Sequence, residues 1–313
     1  RQLALIRSAI SKTSAKSKGK LMSLAARCSA ILLTLALGVS AFAQTASNAN
    51  KQADPTHPVI GVQLYSVRNE MKTDLEGTLE KVKAMGFTYI ETGAQSGKSA
   101  AEFKALLDKN NFQVVSFFAD YNKLKTDFAS VVADAKTMNA KYVIVAWIPH
   151  QKEFTLADCE LAIKDFNEAG EKLAKEGLRF AYHIHGYEFV PNEGGAGTLF
   201  DLLMEKTNPK FVSMQLDTYH VAFPGQDPVK LMQKYPGRFS SLHLKDIRKE
   251  FVGDNSGAFR EKDAVPMGQG KINWLELLKD SEKEGIKWYI LEDETTPVWQ
   301  NVQQSLKYLE TIK

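Results

Sequence analysis

Two histidines stand two residues apart in Tyr182-His183-Ile184-His185, with Glu188 three positions further on. Beyond them come Leu216-Asp217-Thr218-Tyr219-His220, His243-Leu244-Lys245-Asp246 and Leu291-Glu292-Asp293-Glu294. Each group comes after a short apolar run. Imidazole nitrogen mixed with carboxylate oxygen suits Mn²⁺, Co²⁺, Fe²⁺, Zn²⁺ or Mg²⁺ more than thiophilic metals. On a strand, residues two apart point to the same side, so His183 and His185 share a face, as do His243 and Lys245. Taken singly, each has an ordinary explanation. An Asp after a strand is usually a helix N-cap, His-x-His occurs in packed cores, and Glu292 could be a plain loop carboxylate. Their joint appearance after four successive runs is what predicts one divalent metal ion.

A site of this kind needs a scaffold that brings four runs to one rim. From Val59 on, strand-like runs (59–67, 87–91, 112–118, 142–147, 178–184, 211–216, 238–244 and 287–291) alternate with longer amphipathic stretches. Gly86, Gly177, Gly285, Asn208-Pro209 and Pro236-Gly237 punctuate the returns from helix to strand. Strict alternation implies a parallel sheet. Eight repeats, with no glycine-rich phosphate loop after the first strand, predict a single (β/α)₈ TIM barrel over residues 58–313 rather than an open doubly wound sheet. In such barrels the reactive groups sit at the C-terminal strand ends and in the loops beyond them. Arg68, Glu91 and His150, at earlier strand ends, are then candidates for holding substrate hydroxyls. Trp147 can offer a face to a sugar ring or simply pack. The long charged stretch Lys245–Gly270 is placed to act as a lid.

Residues 1–43 carry seven Lys or Arg and no acid, then the apolar run Ile31–Val39 and Ala41-Phe42-Ala43. That is the pattern of a cleaved secretory signal, and the run is too short to span a bilayer. Residues 44–57 read as a polar, disordered spacer. The whole chain has 40 Lys+Arg against 37 Asp+Glu; removing the seven basic residues of the leader leaves 33 against 37. The mature part is therefore acidic, which argues against nucleic acid as a partner. Only Cys159 remains, so no intramolecular disulfide is possible. The expectation is an exported protein, periplasmic or secreted, with no membrane attachment after cleavage and no indication of its oligomeric state.

The segments Gln63-Leu64-Tyr65-Ser66-Val67-Arg68, Tyr182–Glu188, Asp217–His220, His243–Asp246 and Glu292 resemble the xylose isomerase-like TIM barrels, usually called sugar phosphate isomerases/epimerases. The resemblance covers about residues 59–312. It implies a metal held by a Glu, an Asp, a His and a second Glu on successive late strands. Asp217, His243 and Glu292 match the last three; the first falls on His183, with His185 or Glu188 as substitutes. Manganese or cobalt is favoured, with zinc, iron or magnesium as alternatives. A subgroup of exported relatives sharing the His-x-His-x-x-Glu pattern is implicated in cleaving or hydrating 3-keto-sugars, and inosose dehydratase is similar in outline.

The implied activity is that of a sugar isomerase or epimerase: proton abstraction beside a carbonyl, with the metal stabilising an enediolate. The alternatives are a 3-keto-glycoside lyase or hydratase, an inosose-dehydratase-like lyase and a non-catalytic sugar-binding barrel. Glu292 or Glu188 is expected as the base, with His185, His220 and Lys245 as proton donors or oxyanion partners. The substrate expected is a small carbohydrate, unphosphorylated because sugar phosphates are chiefly cytosolic. A metal-dependent endonuclease shares the barrel but needs a basic groove.

Overall fold

A computed structural model describes residues 55–93 and 97–312. The leader expected over residues 1–43 lies outside the described residues, as does all of the expected spacer except 55–57. In chain order the elements are β1 (Val59–Gln63), α1 (Arg68–Thr73), α2 (Leu75–Ala84), β2 (Tyr89–Gly93), α3 (Ala100–Lys109), β3 (Gln113–Phe118), α4 (Tyr121–Thr126), α5 (Phe128–Thr137), β4 (Tyr142–Val145), α6 (Leu156–Lys175), β5 (Arg179–His183), α7 (Leu199–Lys206), β6 (Val212–Asp217), α8 (Thr218–Ala222), α9 (Pro228–Lys234), β7 (Phe239–Leu244), β8 (Asp246–Ile247), β9 (Ala264–Val265), α10 (Trp274–Lys283), β10 (Trp288–Leu291) and α11 (Val298–Thr311). The eight longer strands close into one parallel barrel, each beside its predecessor, with β10 returning to β1. The TIM barrel expected from the alternation is the fold.

Local chemistry explains the helices. Ser99 with Glu102, Thr155 with Asp158 and Thr198 with Asp201 form capping boxes that start α3, α6 and α7. Gly86 and Gly177, at φ of 98° and 78°, end α2 and α6 in the left-handed region that glycine enters freely. Eleven helices are described rather than the eight expected, because the segments after β1, β3 and β6 fold extra short helices, α1, α4 and α8. Strand ends also fall earlier than the apolar runs suggest. Pairing of β4 with β5 stops at Val145↔Tyr182, and pairing of β5 with β6 stops at His183↔Gln215. Trp147 and His185 are therefore loop residues.

Two apolar cores result. The larger fills the space between strands and helices. The smaller, built on Val115, Tyr142, Ile144, Ala181 and Trp288, fills the barrel interior, where Tyr89 and Trp288 meet edge to face at 5.4 Å. Inward-pointing residues nearer the C-terminal end are polar. The plugged end gives rigidity; the polar end is left for chemistry.

The stretch 245–270 is not an irregular loop throughout. β8 and β9 pair antiparallel within it, and the buried Asp246 carboxylate ties its two ends together. That carboxylate accepts hydrogen bonds from the backbone N–H groups of Ile247, Gly268, Gly270 and Ile272, at 2.9–3.3 Å, and from the Trp274 indole at 2.9 Å. Asp246→Ala leaves these buried donors without a partner, at a cost of roughly 3 kcal/mol. We expect a melting temperature several degrees lower and new protease cleavage between residues 248 and 270; an unchanged digestion pattern would show that Asp246 does not hold this segment.

Candidate metal centre and active cavity

The C-terminal end of the barrel opens into a cavity of 810 Å³, a volume suited to a small ligand. Strand register sets what faces it. Asp217 on β6 lies level with His243 on β7, and His183 on β5 level with Gln215 on β6. Two residues below the Asp217–His243 pair, Gln215 lies level with Ser241. Alternation along the strands therefore stacks a polar layer under the metal-ligating layer.

His183, Asp217 and His243 each offer one ligand atom within 4.8 Å of the others. Asp217 Oδ2 lies 3.8 Å from both His183 Nε2 and His243 Nδ1. It is buried and has no hydrogen-bond partner. Its other oxygen, Oδ1, accepts from His220 N–H at 2.8 Å and caps α8. The cap and ligand readings of this aspartate are thus not alternatives, because the carboxylate has an oxygen for each. The nearest cation to Oδ2 is Lys245 Nζ at 3.5 Å, an ion pair without a hydrogen bond. A buried acceptor that lacks its hydrogen bond costs about 1–3 kcal/mol, and a divalent cation among these three groups would remove that cost. The residues present fit the metal.

Glu292 does not belong to this group. Its Oε2 accepts from Lys245 Nζ at 2.8 Å and faces His243 Nδ1 at 2.9 Å. The other ring nitrogen, His243 Nε2, lies 2.6 Å from Glu91 Oε2. Burial disfavours a charged imidazole, but the two flanking carboxylates outweigh it and push His243 up to about 10; a cation bound beside Asp217 would displace the proton from His243 Nδ1. Lys245 is handled likewise: burial opposes its charge, while Glu292, Asp217 and Glu294 raise it well above the usual lysine range. Glu292 would be raised by burial too, yet Lys245 and His243 hold it well below the carboxylate range.

The opposite wall is neutral. Burial depresses His183 and His220 well below the usual imidazole range and takes His185 to about 4. His183 Nδ1 faces Gln215 Oε1 at 2.8 Å, and His185 Nδ1 faces the Gly257 carbonyl at 3.0 Å. Both partners are acceptors, so each Nδ1 carries the proton and each Nε2 keeps its lone pair.

Asp217 is fully buried and does not line the cavity; the other predicted site residues separate into three sets. His183, His185, His220, His243, Lys245, Glu292 and Arg68 line the cavity. Arg68 starts α1, stacks over Tyr65 and lies 3.4 Å from Glu294. Glu91 and Glu188 are fully buried and do not line it. Glu91 belongs to the layer beneath, where it accepts from Ser116 at 2.7 Å and from Gln215 Nε2 at 2.9 Å, so it orients His243 instead of holding hydroxyls. Glu188 accepts from the Tyr182 hydroxyl and from the N–H groups of His185 (3.0 Å) and Gly186 (2.6 Å). It secures the turn after β5 and is not placed as a base. That turn needs glycine: Gly186 has φ 95°, and a Cβ there would lie 2.5 Å from the His220 carbonyl. Trp147 and His150 stack on each other, with ring centroids 4.9 Å apart, and Trp147 packs edge-on against His185. Neither lines the cavity. Sequence reasoning missed Gln215 and Glu294. Gln215 stands two residues before Asp217 on β6, and that strand spacing was the available signal; Glu294 lies in the loop after β10, where only its nearness to Glu292 pointed to it.

A family model described as xylose isomerase-like TIM barrel matches residues 79–312. The chain belongs to that family. An inosose dehydratase of Clostridium botulinum (strain Alaska E43 / Type E3) is 26% identical over 274 residues, covering 76% of this chain and 88% of the relative. Another from Geobacillus kaustophilus is 25% identical over 250 residues, covering 70% and 80%. Among solved structures, a sugar phosphate isomerase/epimerase from Parabacteroides distasonis superposes with a TM-score of 0.66 at 25% identity, covering 80% of this chain and 97% of that one. The zinc-bound IOLI protein, at 16% identity and a TM-score of 0.64, shares the fold over 81% of this chain and 97% of its own.

Removing Glu91 leaves a buried imidazole and a buried carboxamide without their acceptor. Glu91→Ala is expected to cost about 3–5 kcal/mol in chemical denaturation. Trp147→Ala, at a half-exposed stack, is expected to cost no more than about 1 kcal/mol; equal losses would refute the assignment of Glu91 to the supporting layer.

Proposed function

We propose that this protein is a divalent-metal-dependent lyase that removes a proton beside the carbonyl of a small polyhydroxylated ketone and expels an oxygen from the neighbouring carbon. The carrying observation is the buried Asp217 Oδ2, which accepts no hydrogen bond and lies 3.8 Å from a ring nitrogen of both His183 and His243, two residues that line the cavity with Lys245. The homology to inosose dehydratases supports elimination over simple return of the proton. The leader proposed for residues 1–43 would place the reaction outside the cytoplasm, which favours an unphosphorylated sugar or a 3-keto-glycoside as substrate.

A cation held by His183, Asp217 and His243 supplies Lewis acidity toward a carbonyl oxygen. Lys245 keeps its proton because three carboxylates surround it, and its ammonium stabilises negative charge that develops on substrate oxygen. His185 Nε2, uncharged and facing the cavity, accepts the proton from carbon. The electron pair of that C–H bond becomes the new C=C bond as the C–O bond on the adjacent carbon breaks. The departing oxygen takes up the proton that His185 has accepted, which returns the imidazole to its uncharged form and lets the oxygen leave as water or as an alcohol. Glu292, paired with Lys245 and His243, is too weakly basic to compete and sets the charge of both. Arg68, beside Glu294, bounds the cavity on the side of β1.

Chelation is expected to abolish turnover and Mn²⁺ or Co²⁺ to restore it, with His185→Gln lowering kcat by about 10²–10⁴-fold. Incubating the protein with an inosose and with a 3-keto-glucoside in D₂O, read by NMR, checks the reaction class. Loss of water or release of the aglycone supports the lyase. Deuterium entering beside the carbonyl without cleavage would instead establish an epimerase, and full activity of metal-free protein would rule out the mechanism.

A further inference from the structure

A second group of ligands shares one member with the first. His183, His185 and His220 each present a ring nitrogen within 4.8 Å of the others, with no carboxylate among them. The rings of His185 and His220 have centroids 4.2 Å apart, and those of His183 and His185 5.2 Å. His220 is 2% exposed, and its Nδ1 is buried without a hydrogen-bond partner. His183 and His185 have Nδ1 engaged by Gln215 and by the Gly257 carbonyl, which leaves Nε2 of each as the donor beside the unpartnered His220 Nδ1. Such a cluster is a nitrogen-only donor set.

We infer that His183, His185 and His220 form a second cation site, selective for borderline metals such as Zn²⁺, that competes with the Asp217 site for His183 and is inhibitory when filled. The competition arises from the way His183 is held. Its Nδ1 is engaged by Gln215, so only Nε2 can bind metal, and one lone pair serves one ion. An ion drawn to His185 and His220 takes His183 away from Asp217 and His243. It also occupies the Nε2 of His185 that accepts the proton in the proposed reaction. Donor chemistry separates the two sites: all-imidazole sites favour Zn²⁺ and Cu²⁺, whereas Mn²⁺ needs the carboxylate. The second site rests on the Asp217 reading only through the shared His183.

Equilibrium dialysis of the chelator-treated protein with Mn²⁺ or Zn²⁺ tests it. Asp217→Asn keeps the shape of the α8 cap while weakening the first site. It is expected to lose Mn²⁺ affinity by about 100-fold and to keep Zn²⁺ affinity within about threefold. Adding His185→Gln, on the loop after β5 and outside the packed core, is expected to remove the remaining Zn²⁺ affinity, with circular dichroism confirming the fold. Cu²⁺ bound to Asp217→Asn should show an EPR spectrum split by three nitrogens. Zn²⁺ affinity lost in Asp217→Asn as fully as Mn²⁺ affinity would overturn the second site, as would a double variant that binds Zn²⁺ like the single one. If the wild type takes up no Mn²⁺, the Asp217 reading falls, while the Zn²⁺ comparison still decides this one.

Discussion

The site depends on one buried imidazole held at both nitrogens by carboxylates from opposite parts of the chain. His243 lies between Glu91 of β2 and Glu292 after β10, at 2.6 and 2.9 Å. Removing one carboxylate from a buried imidazolium would be costly, by roughly 3–5 kcal/mol. Paired on both sides, the ring sets the positions of β2, β7 and the loop after β10 together. Glu91 then reaches Gln215, and Gln215 reaches His183. One connected set of hydrogen bonds runs beneath both metal positions, so neither histidine can turn without disturbing the other.

Above that layer the cavity has two electrostatic halves. Toward β7 and β10, Lys245, Glu292, Glu294 and Arg68 form a compensated run of charge that burial cannot neutralise, because each ion has partners. Toward β5 and β6 the one carboxylate nearby, Asp217, lies 3.8 Å from His183, and burial outweighs it, depressing His183, His185 and His220 below the usual imidazole range. Lewis-acid and oxyanion chemistry suits the first half and proton acceptance the second. A cation that prefers nitrogen suits the second half as well, which is the physical origin of the conflict between catalysis and inhibition.

The segment after β7 joins the scaffold to this division. Asp246 pins its ends, while Gly257 presents a carbonyl to His185 and Phe259 lines the cavity. The tautomer of His185 is thus decided by a residue 72 positions away in the chain. Glu188, which sequence spacing alone makes a plausible base, serves instead to hold the turn that carries His185.

What the sequence by itself determined is the repeat and the composition of the rim. Period, punctuation and count specify an eight-stranded parallel barrel, because apolar faces and helix stops are local properties written in consecutive residues. The types His, Asp, Lys and Glu after four successive strands specify metal and proton chemistry for the same reason. Only the tertiary structure decided which of those groups face the cavity. Glu91 and Glu188 look like ligands or bases in one dimension, but register and burial commit their oxygens to His243, Gln215 and the turn after β5. Asp217 looks like either a cap or a ligand, and its two oxygens, pointing different ways once β6 passes into α8, make it suited to both. Gln215 and Glu294 acquire their roles solely from neighbours on other strands. Contacts between residues far apart in the chain depend on barrel closure, and no local pattern encodes them.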